Sequence, residues 1–334
     1  VSRRFLIVRL GSMGDVIHGV PVAAALRAAW HDARIDWLVD PRYVELLNLV
    51  PVVDRRIAVN PRGPRVALIA GIRELRRAGY DAVFDLQGLI KSAVLARLAG
   101  GAQTIGLTRA HLREWPARLF YTRAVDPGSL RHVILKSLAQ LAAVGIDTPR
   151  VEFPFEIPET PVARDVASTF GGSGYVAINP GAAWPNKRWP PARFGAIAAA
   201  IRDRFGLRSL VLWGPGERPM AEEVAAASQT AADISPPTTL TDVFAVLKGA
   251  RLLVSGDTGP LHIACALGTP AVALFGPTWP ERNGPWSPAD VTVSRAEACI
   301  CHHERRCRRE RPCIDEIAVG EVFEAVERRM VSRG

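Results

Sequence analysis

Short apolar runs alternate along this chain with longer stretches in which Ala, Leu and Val recur at helical spacing. Strands are predicted at Arg3–Leu10, Ile35–Val39, Arg56–Asn60 and Asp81–Leu86. Helices are predicted at Val16–Trp30, Val44–Leu49, residues 67–78, after the Gln87–Lys91 turn and at His132–Val144. The segment Thr104–Tyr121 lacks a clear period. After the Pro-spaced stretch Phe153–Pro161 the pattern restarts. Strands then fall at Tyr175–Asn179, Leu210–Trp213, Leu252–Val254 and Ala271–Phe275, with helices at Pro191–Phe205, Met220–Ala227, Leu240–Lys248 and Val319–Met330. Strands alternating with helices argue for parallel sheets covered on both faces. The expectation is two α/β domains, residues 1–158 and 159–334, with a ligand cleft between facing strand ends.

The stretch Leu252–Gly268 concentrates the most chemistry. A buried strand runs into a tight turn, and a helix follows with Pro260 expected at its first position and Gly268 at its stop. That helix start aims unpaired N–H groups and a positive dipole end at whatever lies beside Asp257, Thr258 and Gly259, which suits a phosphate. Asp257 and His262 bracket the junction.

Charge adds a second asymmetry. The chain of 334 residues carries a net +9, but residues 1–158 hold 22 Lys and Arg against 14 Asp and Glu, and residues 159–334 hold 20 against 19. The basic half should meet an acidic partner, or it is a solvated Arg-rich surface. Its basic features include the loop Pro61-Arg62-Gly63-Pro64-Arg65 and the cluster Arg109, His111, Arg113 and Arg118. Phe5–Val8, broken by Arg9, is too short for a signal peptide, and no apolar run is long enough to span a membrane. The expected location is the cytoplasm.

Other groups leave alternatives open. Gly11-Ser12-Met13-Gly14-Asp15 lacks the third glycine of a dinucleotide fingerprint, which weighs against a dehydrogenase despite Asp40 at the end of the second strand. Asp15, at a helix start and a sheet's carboxyl edge, is either a helix cap or a general base. Lys187 and Arg188 either hold a diphosphate or form a basic surface pair. The chain has no Asp-x-Asp motif, so side-chain cations and helix dipoles would stabilise a leaving phosphate. Cys299, Cys301, Cys307 and Cys313, with His302 and His303 among them, suggest a structural metal rather than disulfides in a reducing compartment. The spacing departs from that of common zinc ribbons. Cys265 reads as packing.

Four ordered stretches carry a family likeness: Phe5–His18, Asp85–Ser92, Asn179–Pro190 and Ser255–Ala264. Together they resemble the lipopolysaccharide heptosyltransferases of glycosyltransferase family 9, and within it the heptosyltransferase I branch, over nearly the whole chain. The resemblance implies a GT-B fold, with two Rossmann-like domains facing across a cleft. It implies inverting transfer of heptose from ADP-heptose to a Kdo sugar on lipid A, with no metal or other cofactor required. In that alignment Asp15 matches the proposed catalytic base and Lys187 a diphosphate-binding lysine. Asp257, Thr258, Gly259 and His262 match the donor motif, and Glu217 a nucleoside contact. Lys91 and Arg113 fall where relatives place acceptor-binding cations, and Arg62 is grouped with them. Ala182 and Ala183 stand where relatives of the first type carry hydroxyl residues near the donor phosphates. An acceptor on lipid A also implies peripheral contact with the inner membrane leaflet at its cytoplasmic face.

Two other classes compete. A GT-B nucleotide-sugar epimerase would share the donor cleft and leave the basic half idle. A nucleic-acid-binding protein would use the arginines but leave the Asp257 turn unexplained, and arginines without interleaved aromatics make a poor single-strand platform. The partners expected are therefore an ADP-sugar and a Kdo-lipid A acceptor, and not nucleic acid.

Overall fold

The computed structural model describes residues 2–60, 65–302 and 304–331, without side-chain detail for 65–70. Arg62 and His303 lie outside the described residues. The chain divides into two compact units, Val1–Glu156 and Ile157–Gly334, which part inside the Pro-spaced stretch.

The first unit contains strands β1 (Arg4–Val8), β2 (Arg34–Val39), β3 (Arg55–Ala58), β4 (Ala82–Asp85), β5 (Gln103–Leu107) and β6 (Arg123–Val125). Its helices are α1 (Met13–Ala29), α2 (Val44–Asn48), α3 (Arg65–Ala78), α4 (Ile90–Leu98) and α5 (Val133–Ala139). The second unit contains β7 (Tyr175–Asn179), β8 (Arg208–Val211), β9 (Ala232–Ile234), β10 (Leu252–Gly256), β11 (Ala271–Phe275) and β12 (Val291–Ser294). Its helices are α6 (Pro161–Phe170), α7 (Pro191–Phe205), α8 (Arg218–Ala227), α9 (Leu240–Gly249), α10 (Gly259–Leu267), α11 (Pro280–Asn283) and α12 (Val319–Val331).

Both sheets are parallel and six-stranded, ordered β3-β2-β1-β4-β5-β6 and β12-β11-β10-β7-β8-β9. Counted within each unit the two orders are the same. Each reverses once, between β1 and β4 in the first unit and between β7 and β10 in the second. Parallel sheets carry ligands beyond the carboxyl ends of the strands at such a reversal. Helices cover both faces, so the inner strands read as continuous apolar runs: β4 and β10 are buried along their whole length. Leu6, Val8, Leu38 and Val83 pack one side of the first sheet. In the second unit Val176, Ile178, Leu252 and Val254 meet Trp189, Phe194, Ile314 and Ile317.

Several boundaries differ from expectation. Helix α1 begins at Met13, so Asp15 is its third residue and Ser12 takes the cap position. Helix α10 begins at Gly259, which puts Pro260 second. The aperiodic segment holds β5 and two short 3-10 turns, Arg109–His111 and Trp115–Phe120. The predicted His132–Val144 helix is α5 followed by a 3-10 turn that Gly145 ends at φ +88°. The Pro-spaced stretch stops at Thr160, whose hydroxyl accepts from the Ala163 N–H and starts α6 with Pro161 at its first turn. No helix among the described residues is long and apolar enough to cross a membrane.

Candidate functional site

At the reversal of the first sheet, the chain leaves β1 through Arg9 and enters α1 through the Gly11–Asp15 turn. Arg9 is buried, and Trp37 Nε1 donates to its backbone carbonyl at 3.2 Å. The Arg9 guanidinium donates to Asp15 Oδ1 and to the Leu86 carbonyl, so it bridges the ends of β1 and β4. Asp15 Oδ2 accepts from the Ser12 N–H at 3.0 Å and the Ser12 hydroxyl at 3.1 Å, which completes one side of a capping box. Its side chain is still 32% exposed. The cap reading is thus realised geometrically, with Asp15 as the returning acid rather than the cap residue.

Asp85, at the end of β4, shapes the neighbouring turn. It is buried, and accepts from the Tyr121 hydroxyl at 2.7 Å, the Ser92 hydroxyl at 3.0 Å and the Gln87 N–H at 2.9 Å. Burial pushes its carboxyl above the ordinary value against the pull of those donors. Gln87 Oε1 accepts from the Leu10 N–H at 2.9 Å, tying the two turns together. Gly88 has φ +68°, and a Cβ there would lie 3.0 Å from Leu112 Cδ2. The Ile90 N–H donates to Glu114 Oε2 at 2.8 Å. These two contacts bring the 109–120 segment against the start of α4, with exposed Lys91 on the helix and exposed Arg113 beside Leu112 and Glu114. Asp40 binds Arg42 with both oxygens, at 2.9 and 3.0 Å.

The second reversal is organised around one acid. Asp257 is almost fully buried, and four side chains close on it. Oδ2 accepts from Lys187 Nζ and from the Thr278 hydroxyl at 2.7 Å. Oδ1 accepts from Asn283 Nδ2 at 2.8 Å and faces His262 Nε2 at 3.3 Å. Burial alone would raise its carboxyl, but His262 and the Lys187 charge outweigh that and hold it well below the usual carboxylate range. Lys187 Nζ also stands 4.8 Å from the Trp184 ring centre.

Asn179 at the end of β7 donates to Ser255 Oγ at 3.1 Å and to Thr258 Oγ1 at 3.0 Å. This occupies the Thr258 hydroxyl, and no side chain caps the first turn of α10. Glu217 Oε2 accepts from the Gly214 N–H at 3.0 Å. A Cβ at Gly181 would come within 2.1 Å of the same carboxylate oxygen, so a side chain there would displace the Glu217 carboxylate from this corner. Arg188 Nε donates to the Ala182 carbonyl at 2.8 Å and braces the loop.

Lys187, Asp257, Thr258, Gly259 and His262 therefore gather at one strand reversal, with Glu217 at the neighbouring β8 end. Asp15 and Lys91 stand at the other reversal, next to the segment that carries Arg113. Arg9, Asp85, Gln87, Asn179, Thr278 and Asn283 complete the two sites without having been singled out from spacing. Thr278 and Asn283 come from the loop and short helix after β11. Cys265 is half-buried on α10. Cys299, Cys301 and Cys313 are buried together, with Cys307 packed against them. Among the described residues no group of three or more His, Cys, Asp and Glu side chains is set out as a metal cage; the sulfurs touch one another instead.

Two Rossmann-like units, each with a polar site at its strand reversal, make up a fold of the GT-B type. Residues 68–312 match the family "Glycosyltransferase family 9 (heptosyltransferase)", and the chain belongs to that family. It is 33% identical over 315 residues to lipopolysaccharide heptosyltransferase 1 of Pseudomonas aeruginosa, covering 91% of this chain and 87% of that one. The Salmonella typhimurium protein of the same name is 32% identical, covering 84% and 90%. Among solved structures, E. coli heptosyltransferase WaaC with ADP superposes with a TM-score of 0.74 at 26% identity, covering 98% of this chain and 99% of that one. The chain is a glycosyltransferase.

Proposed function

We propose that this enzyme transfers heptose from ADP-heptose to a Kdo residue of the lipid A-linked inner core, with inversion and without a divalent ion. The observation that carries the reading is the Asp257 cluster. It holds the Lys187 ammonium at the strand reversal that also carries the uncapped first turn of α10. A cation beside free helix N–H groups is a diphosphate site. Asp257 spends both oxygens on protein donors, so it positions cations rather than a metal. The names of the similar proteins, and the ADP in one of them, support the same donor.

In this reading residues 159–334 bind the donor and residues 1–158 the acceptor. Asp15 takes the proton of the acceptor hydroxyl as that oxygen attacks the anomeric carbon. Arg9 and Ser12 fix the direction of its carboxylate and leave part of it open. The bond from the anomeric carbon to the diphosphate oxygen breaks, and the growing negative charge meets Lys187 and the Gly259 end of α10. Thr258 shapes the turn through Asn179, His262 orients Asp257, and Glu217 borders the nucleoside. Lys91, Arg113 and Arg62 attract the anionic acceptor, whose lipid keeps the enzyme at the inner membrane's cytoplasmic face.

Incubation with ADP-heptose, with and without a Kdo-lipid acceptor, tests the reading. Expected is acceptor-dependent ADP release, an inverted anomeric linkage by NMR and activity that does not rise with added Mg²⁺. Activity that collapses in EDTA and returns with Mg²⁺ contradicts the metal-free part. Conversion of the nucleotide sugar without acceptor contradicts the transfer.

A further inference from the structure

The segment Cys299–Cys313 sits apart from the chemistry just described, yet four sulfurs meet in it. Cys299 Sγ and Cys301 Sγ are 3.7 Å apart, and Cys301 Sγ and Cys307 Sγ 3.4 Å. The Cys313 thiol hydrogen-bonds Cys299 and lies within electrostatic reach of Cys301 and Cys307. The Cys301 N–H points at Cys299 Sγ at 3.4 Å, the backbone-to-sulfur contact that supports a thiolate ligand. A disulfide needs sulfurs about 2.05 Å apart. Four thiolates at about 2.3 Å from one tetrahedral ion sit about 3.8 Å from each other. The observed separations fall just short of that edge, so opening the cluster by a few tenths of an ångström admits an ion.

The surroundings supply the matching charge. A divalent ion with four thiolates carries two negative charges, and this segment holds Arg305, Arg306, Arg308, Arg309 and Arg311 against Glu304 and Glu310. Arg309 lies within reach of both Cys307 and Cys313.

The segment also leans on the donor-side loops. Asn186, next to Lys187, donates from Nδ2 to the Glu304 carbonyl at 2.9 Å. The His302 ring stacks on Trp279 with centroids 4.9 Å apart, and its Nδ1 stands 3.2 Å from the Pro277 carbonyl. Thr278, between those two residues, is one of the four groups on Asp257. After Cys313, Ile314 and Ile317 enter the core of the second unit.

We propose that Cys299, Cys301, Cys307 and Cys313 bind one thiophilic, tetrahedral divalent cation, and that this ion fastens the 299–313 segment against the loops carrying Lys187 and Thr278. An all-sulfur tetrahedron selects zinc or iron over magnesium or calcium. Binding releases the thiol protons to solvent as the metal–sulfur bonds form, with no change of oxidation state. The inference stands on the sulfur geometry and is independent of the sugar and acceptor assigned above.

The test is elemental analysis of the full chain purified under reduction without chelator, followed by Co²⁺ titration of the stripped protein. Expected is close to one zinc or iron per chain in the wild type and in Cys265→Ser. Cys307→Ser, at the rim of the cluster, should lose metal by roughly tenfold or more and show no thiolate-to-cobalt absorption. Stripping should lower Tm by roughly 5 °C and be reversed by Zn²⁺. Reduced wild-type protein that holds no metal and gives no cobalt–thiolate band overturns the proposal, as does a pair of disulfides found by mass spectrometry. Undiminished metal in Cys307→Ser overturns the ligand set.

Discussion

The two units share one strand order, and each places an aspartate at the reversal of its sheet, yet the two acids are held in opposite ways. Asp15 meets the Arg9 guanidinium and Ser12, and its side chain is still 32% exposed. Asp257 has four side chains on it and is almost sealed. A carboxylate left partly open is available to a substrate. A carboxylate saturated by donors works through the groups it holds, here Lys187 and His262. The same topology thus yields a reacting group in one unit and a positioning group in the other. The difference comes from the segments that follow β1, β7, β10 and β11 rather than from the sheets.

The largest expected effect is at the open acid. Asp15→Asn should lower kcat by roughly 10²–10⁴, the range for general acid–base catalysis, with the donor KM little changed. Near-normal turnover in the folded variant would return Asp15 to a purely capping role. The sealed acid should behave differently. Asp257→Ala leaves the Lys187 ammonium largely buried without its partner and should cost about 3–5 kcal/mol of stability in urea unfolding. It should also weaken ADP binding, and a loss of turnover with stability unchanged would contradict its positioning role.

The next effect sharpens the division between the units. Lys91→Ala and Arg113→Ala should raise the acceptor KM several-fold and leave the donor KM alone. Rising salt should mimic them, because exposed charges are screened beyond about 10 Å at 0.1 M. Steady-state kinetics with a lipid-trimmed Kdo acceptor decides this, and an unchanged acceptor KM in both variants places the acceptor elsewhere.

The smallest effect is a difference in pH dependence. Asp257 is held below the ordinary carboxylate range, so the stability it contributes is complete above that range and is lost as pH falls below about 4. Asp85 is raised, chiefly by burial, so its contribution has the opposite sign: it favours folding at low pH and weakens as pH rises through the raised value. Urea midpoints between neutral and acid pH should show a shallower acid-side loss in Asp257→Asn. Asp85→Asn should show a steeper one. Identical slopes in both variants would contradict the two assignments.

Inner strands are legible where burial on both faces leaves an uninterrupted apolar run, as at Phe5–Val8 and Leu252–Val254, but not at β5, where Gln103, Thr104 and Gly106 break the run. Of the four outer strands, all three or four residues long and partly buried, β3 was expected and β6, β9 and β12 were not. Helix α6 carried its signal in Thr160, Pro161 and Gly171, but the prolines before it blend into the same stretch. At the sites, local motifs reveal Asp15, Lys187 and the 257–262 junction. Their supports lie far along the chain: Thr278 is 21 residues from Asp257, and Arg9 reaches Leu86 across 77. No spacing rule connects such pairs, because the sheet order brings them together. The cysteines show the same limit, since their convergence depends on how the loop folds back.

The central claim is that two aspartates at the strand reversals of two sheets, one after the first strand of its unit and one after the fourth, do different work. Calorimetric titration of ADP into the wild type, Asp15→Asn and Asp257→Asn tests it most directly. The account predicts wild-type affinity in Asp15→Asn and a loss of roughly tenfold or more in Asp257→Asn, where the neutral amide no longer holds the Lys187 charge. Equal affinity in all three proteins, or a loss confined to Asp15→Asn, would contradict it.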